Sequence, residues 1–271
     1  MTVGARIGSL VGSRLGSRVG SSPLPSGYTI TWDVDGPGAG FGVPANASQW
    51  TDVRLAASLP GNPSHGWLMQ DAGAPADTIG AQNLTAFSTP AFQQAFDTGW
   101  TGFSVEFNST ADALYNLSVV DTATQSALLL AYVKITADPG VEQLALHIGS
   151  GASQSDRRIA AITAGGLWAA RGWPGQPQAP ADGVADPGTN VMLVGVQVNR
   201  TAGVFRVITD QEVIAPVYTA PSSGTAPYVS FGDGAAVMRV RAGWLFIGAA
   251  AELSVSQLRS LYTVLGRTPL F

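Results

Sequence analysis

Between about residue 62 and residue 250 the chain breaks into short runs rich in Val, Ile, Phe, Tyr and Thr. Loops of Gly, Pro, Ser and Asp close each run. No other feature limits the fold as much. Phe103, Val105 and Phe107 alternate with Ser104, Glu106 and Asn108, the period-two signature of a strand with one buried face. Further strands are predicted over 115–120, 127–136, 143–148, 159–163, 191–198, 204–209, 212–218, 229–231 and 237–246. Many short strands at this spacing point to an all-β, antiparallel β-sandwich of jelly-roll type.

Helical signals flank this region. Ser254 stands three residues before Gln257, the spacing of a capping box. Leu253 and Leu258 sit where a hydrophobic staple pairs, and Leu258, Leu261, Tyr262 and Leu265 form one apolar stripe closed by Gly266. One C-terminal helix is expected there. Upstream, 27–61 reads as a connector, with a short strand at 28–32, a turn at 33–38 and a helix opening near Asn46 and running through Val53, Leu55 and Ala56. The sandwich domain is placed at 62–271.

Residues 1–26 differ in kind. From Val3 a four-residue unit repeats, apolar, Gly, small, then usually Arg, and it holds no acid and no aromatic residue. Such a segment cannot build a core of its own. Its apolar residues Val3, Ile7, Val11, Leu15 and Val19, with Arg6, Arg14 and Arg18, read as an extended arm that gains order against a partner. A helix through this segment would carry a glycine every fourth residue, at a cost of roughly 1 kcal/mol each relative to Ala. The arm is therefore expected to plug into an assembly.

Composition narrows the function. Charged residues make up only 12% of the 271, and the net charge is -4, so a general nucleic-acid role is not expected. The chain has no cysteine, which rules out disulfides, thiolate metal sites and cysteine nucleophiles. No run of eighteen apolar residues occurs, so no membrane-spanning helix is predicted.

Two separated segments resemble the laminin-G-like, concanavalin-A-like jelly-roll family. The first is Ser64-His65-Gly66-Trp67-Leu68-Met69-Gln70-Asp71-Ala72-Gly73, followed by Ala76-Asp77-Thr78-Ile79-Gly80 and Asn83-Leu84-Thr85. It is similar to that family's opening strand and acidic turn, with Thr78-Ile79 in place of the usual small residues. The second, Trp244-Leu245-Phe246-Ile247-Gly248 followed by Ala251-Glu252-Leu253-Ser254 and the terminal helix, is similar to the closing strand and helix. The connector at 42–50, together with the repeated arm, resembles phage structural proteins in which such a domain hangs on a virion-anchoring N-terminus. These resemblances imply a non-enzymatic virion structural protein, made in the host cytoplasm and displayed on the particle surface. The implied partners are capsid or tail proteins, a further copy of the chain in a homo-oligomer such as a trimer, and a host surface glycan. The capsid surface, as decoration or head fibre, is preferred over the tail.

The same residues carry no recognisable catalytic motif. The four glutamates, Glu106, Glu142, Glu212 and Glu252, form none of the Glu-x-Asp-x-Glu strands that jelly-roll glycoside hydrolases use. Only Glu106 stands on the polar face of a strand where such a group would serve, and no catalytic residue is assigned. His65 and His147 lack ligand spacing, and their expected roles are packing or surface ones. Trp168 and Trp173 flank Arg171 in a Gly- and Pro-rich loop, a candidate ligand-binding cluster for sugar stacking. No cofactor is required. Calcium is the one metal considered, with Asp71, Asp77 and Asp233 as turn carboxylates of suitable chemistry. A carbohydrate-binding lectin module is the alternative reading of the whole chain.

Overall fold

The computed structural model describes residues 42–271, apart from 121, 123, 138, 151–156, 173–180, 185–187, 189, 219–226, 233 and 235–236. The arm and the expected strand at 28–32 lie outside the described residues. The described chain opens with helix α1 (Ala47–Ala56) and continues through β1 (His65–Leu68), β2 (Thr85–Phe87), β3 (Ala91–Ala95), β4 (Phe103–Phe107) and β5 (Ala113–Asn116). The long strands β6 (Ala127–Ile135) and β7 (Gln143–Ser150) follow, then β8 (Arg158–Ile162), β9 (Trp168–Gly172) and β10 (Ala181–Asp182). Next come β11 (Val191–Asn199), β12 (Val204–Ile208), β13 (Val213–Ile214), β14 (Pro227–Gly232) and β15 (Met238–Ile247). A 3-10 turn (Gly248–Ala251) leads into helix α2 (Val255–Val264).

The strands form two antiparallel sheets. The larger runs β13-β12-β11-β6-β15-β4-β3, with β1 also paired to β15; the smaller runs β10-β9-β8-β7-β14-β5-β2. Strand β15 serves two neighbours along the same edge. Its first half pairs β4 through Met238 to Val240, and its second half pairs β1 through Ala242 to Leu245. The register shift between Val240 and Ala242 falls at this changeover.

One core fills the space between the sheets. Leu129, Ala131 and Val133 of β6, Val194 and Val196 of β11, and Leu245 of β15 meet Leu146, Ile148, Ala160, Val229 and Phe231 of the smaller sheet. A second core lies on the far side of the larger sheet. There Leu128, Leu130, Leu193, Trp244 and Phe246 meet Trp50 and Val53 of α1 and Leu258, Leu261 and Tyr262 of α2. Strands β6 and β11 are thus buried on both faces, which explains their near-continuous apolar sequences. The fully buried Gln197 fixes how α2 is reached, since its amide donates to the carbonyls of Ala251 and Leu253 at 2.8 and 2.9 Å.

The helix ends follow the sequence rules. Asn46 caps α1 by accepting from the amides of Ser48 and Gln49. Ser254 and Gln257 form the reciprocal capping box of α2, and Gly266 takes a φ of +80° just past its end. The described part of the connector, 42–61, packs onto the larger sheet. Trp50 is fully buried, with its ring centroid 5.3 Å from those of both Trp244 and Phe246. Gly42, the first described residue, donates its amide to the Leu265 carbonyl at 3.3 Å. The buried Tyr132 hydroxyl bonds both Leu265 and Gly42 carbonyls, at 2.8 and 3.2 Å.

Several details depart from the sequence reading. Phe103 is 46% exposed while Ser104 is buried, because β4 begins beside the edge strand β3 and the Ser104 hydroxyl donates to the Gln94 carbonyl. Only Val105 and Phe107 of the predicted inward face reach the core. The strand expected over 212–218 shortens to Val213–Ile214. A strand, β9, occupies 168–172, where the sequence suggests loop.

Candidate binding surfaces

The residues singled out by sequence fall in different places. All eight arm residues, Trp173 and Asp233 lie outside the described residues. Trp168 lies on β9 and is 1% exposed, packed in the core between the sheets. Its ring therefore has no face to offer a ligand. The Gly-rich surroundings suggested a loop, but Trp168 and Ala170 alternate inward as in any strand. Arg171 points the other way and is engaged: its Nε and Nη2 donate to Glu142 at 3.0 and 2.7 Å, and Nη2 also donates to Asp182 at 2.5 Å. Burial alone would weaken the charge on Arg171, yet the two carboxylates outweigh it and raise its pKa.

Asp71 is an exposed turn residue. The Asp77 side chain is fully buried and collects donors: the amides of Gly66, Ile79, Gly80 and Gln82, at 2.8 to 3.0 Å, and His65 Nδ1 at 2.6 Å. Burial pushes the Asp77 carboxyl up, but its bonds to Gly66, His65, Gln82 and Gly80 together hold it below the ordinary value. Asp77 thus organises the turn after β1 with N–H partners, the opposite of the carboxylate-and-carbonyl cage calcium requires. Among the described residues no group of three or more His, Cys, Asp or Glu is placed to hold a metal ion.

Other carboxylates are likewise committed to structure. Glu106 pairs with Arg239 at 2.8 Å, and Asp97 with Lys134 at 2.6 Å. Asp112 accepts from the amides of Thr89, Asn108 and Ser109. Glu252 accepts from the hydroxyls of Thr201 and Ser126, which lower its pKa. Glu212 receives the Val184 amide.

The smaller sheet presents an ordered row on the face turned away from the core. Register places Thr85, Tyr115, Ser230, His147, Ile159 and Arg171 side by side across six strands. His147 and Ser230, at its middle, are fully buried. Beside the row the Arg157 guanidinium lies 3.8 Å over the Tyr228 ring, which stacks with Tyr115 at 6.5 Å. Strands β7, β8 and β9 of this row follow one another, while β14, β5 and β2 join it from distant parts of the chain.

A cleft of about 430 Å³ opens at one end of the larger sheet. Three chain segments build it. The turn before β4 supplies Asp97 and Trp100; the start of β11 supplies Asn190 to Met192; the turn after β12 supplies Asp210 and Gln211. The C-terminal tail closes one side with Arg267, Thr268 and Leu270. Thr209 shapes the β12 turn, its hydroxyl accepting from the amides of Gln211 and Glu212. The tail is tied down by the Leu270 amide, which donates to the Asp210 carbonyl at 2.9 Å.

Charge in the cleft is balanced internally. Arg267 donates through Nε and Nη2 to Asp210 Oδ2, and through Nη2 to the Val191 carbonyl at 2.8 Å. Burial pushes Asp210 upward while Arg267 opposes it. Two buried acceptors, Asp210 Oδ1 and Gln211 Oε1, have no hydrogen-bond partner among the described residues. A buried acceptor left without a donor costs about 1–3 kcal/mol. Trp100 is half-buried, its ring 5.0 Å from Phe96 and 5.5 Å from Tyr132 between centroids. The sequence marks none of these as site residues.

No family model and no curated protein matches the chain. Among solved structures it is similar to the Trypanosoma rangeli sialidase in complex with sialic acid, at 13% identity and a TM-score of 0.56. That match covers 95% of this chain and 37% of the sialidase. It is also similar to the binding domain of botulinum neurotoxin serotype D, at 14% identity and a TM-score of 0.52, covering 76% of this chain and 52% of that one. A binding domain of botulinum neurotoxin DC in complex with SialylT gives 11% identity and a TM-score of 0.52, covering 74% and 52%. The chain thus spans between about a third and about half the length of these proteins. At these identities the likeness is one of fold, a jelly-roll-like β-sandwich.

Proposed function

We propose that this chain is a non-enzymatic phage virion structural protein, anchored through residues 1–26 and displaying a laminin-G-like sandwich on the particle surface as a capsid decoration or head fibre. The observation that carries this reading is the four-residue repeat within residues 1–26, apolar positions spaced by glycine with no acid and no aromatic residue, which cannot build a core of its own. The committed carboxylates support a binding or covering role over a catalytic one.

The test is deletion of residues 1–26. The truncated chain is expected to melt like the full chain and to be missing from purified particles. A truncated chain that still incorporates would refute the anchoring role.

The cleft favours a second reading, a carbohydrate-binding lectin module. It combines a half-buried tryptophan with polar groups in a concavity of ligand size. The likeness to a toxin binding domain and to a sialidase in complex with sialic acid agrees with it. This reading predicts glycan binding that survives loss of the arm.

A further inference from the structure

We infer that the cleft between Trp100, Gln211 and the C-terminal tail binds a neutral, hydroxyl-rich ring, a hexose unit of a glycan. The inference rests on the lectin reading and specifies both the site and the charge class of its ligand.

The chemistry follows from what the cleft lacks and what it already has. Two side-chain acceptors of its lining residues, Asp210 Oδ1 and Gln211 Oε1, have no donor among the described residues. Hydroxyl groups supply donors without bringing charge. An anionic ligand is disfavoured. It would face these acceptors, while Arg267 already spends Nε and Nη2 on Asp210 and the Val191 carbonyl. A cation is disfavoured too, because the Asp210 charge is answered by Arg267 and that of Asp97 by Lys134. Trp100 adds an apolar ring surface of the kind on which sugar C–H faces stack. The volume of about 430 Å³ lies within the range of small-ligand sites. The carboxylate of sialic acid, the ligand in one of the similar structures, is the feature this cleft rejects.

The experiment uses the full chain on an array of neutral hexose-terminated, sialylated and uronate glycans, followed by calorimetry with methyl hexosides. Two variants are compared. Gln211→Leu removes one acceptor while keeping most of the volume, and Trp100→Ala removes the ring; thermal melting checks that each is folded. The expected result is binding to neutral glycans, weakened about tenfold or more by Gln211→Leu, with its melting temperature unchanged or raised. Neutral binding that neither folded variant alters would overturn the cleft assignment and leave the lectin reading standing. Binding confined to sialylated or uronate glycans would overturn the neutral class. Failure of every glycan to bind would overturn the lectin reading and this inference together.

Discussion

Removing one oxygen atom from Tyr132 tests how the junction of Gly42 and Leu265 is held. Tyr132 is fully buried in the middle of the larger sheet, and its hydroxyl reaches the carbonyls of Leu265 and Gly42. In Tyr132→Phe the ring keeps its edge-on contacts with Trp100 and Trp244, at 5.5 and 5.9 Å. The hydroxyl has one proton, which the closer Leu265 carbonyl takes, so the loss falls mainly on Leu265, which keeps only the longer bond from the Gly42 amide. The expected cost is about 1–2 kcal/mol. For a domain of this size that lowers the melting temperature by about 3–8 °C. Urea unfolding is expected to show a lower midpoint at an unchanged slope. Tyr132→Ala, which also leaves a cavity, costs about 3–5 kcal/mol. Burial raises the pKa of Tyr132 above the ordinary 10. Unfolded tyrosine gives up its proton near that pH while the folded one keeps it. The stability this group contributes is therefore complete below pH 10 and declines as pH rises beyond it. The Phe variant is expected to lose part of that alkaline decline. If Tyr132→Phe stays within about 0.5 kcal/mol of the parent and keeps the same alkaline slope, the hydroxyl does not hold the junction.

Two further substitutions probe the frame around the candidate surfaces. Asp77→Ala strands several amide donors in the turn after β1, and a loss of about 3 kcal/mol in denaturant unfolding is expected. Because the folded carboxyl lies below its ordinary 3.8, its contribution is present above that pH and is lost as the solution is acidified below it. Asp77→Ala is therefore expected to flatten the acid limb of a stability-versus-pH curve; an unchanged limb would remove Asp77 from the account. Gly232 has a φ of +87°, and a Cβ there would lie 2.5 Å from Phe107 and 2.6 Å from the Asp112 carbonyl. Gly232→Ala is expected to cost about 3 kcal/mol, read from the thermal midpoint, and a neutral result would show that β14 and β5 shift apart freely.

What the sequence made legible depended on burial. Strands β6 and β11 stand out because both faces are covered, and α2 because its capping box and apolar stripe are local signals. The short edge strands were harder. In β3 the register shifts between Ala91 and Gln94, and Gln93 has a φ of +54°, so no period of two survives. The glycines around Trp168 suggest a loop, whereas pairing with Ile162 on β8 sets it into the core. The cleft had no sequence signature at all. Trp100 comes from the turn before β4 and Asp210 and Gln211 from the turn after β12, and only the tertiary packing brings the two turns together. Asp77 was recognised as a turn carboxylate, but its partner His65 was not, since twelve residues separate them.

The junction of Gly42, Tyr132 and Leu265 also sets how the domain bears load. A tether reaching Gly42 transmits tension to Tyr132 on β6, a strand flanked by β11 and β15, and not to β3 or β13 at the sheet margins. Tension at a margin peels one ladder bond at a time. Tension delivered to the middle of the sheet must disturb the ladders on both sides together. A pull applied at Gly42 therefore meets the sheet at its centre, where two ladders share the load.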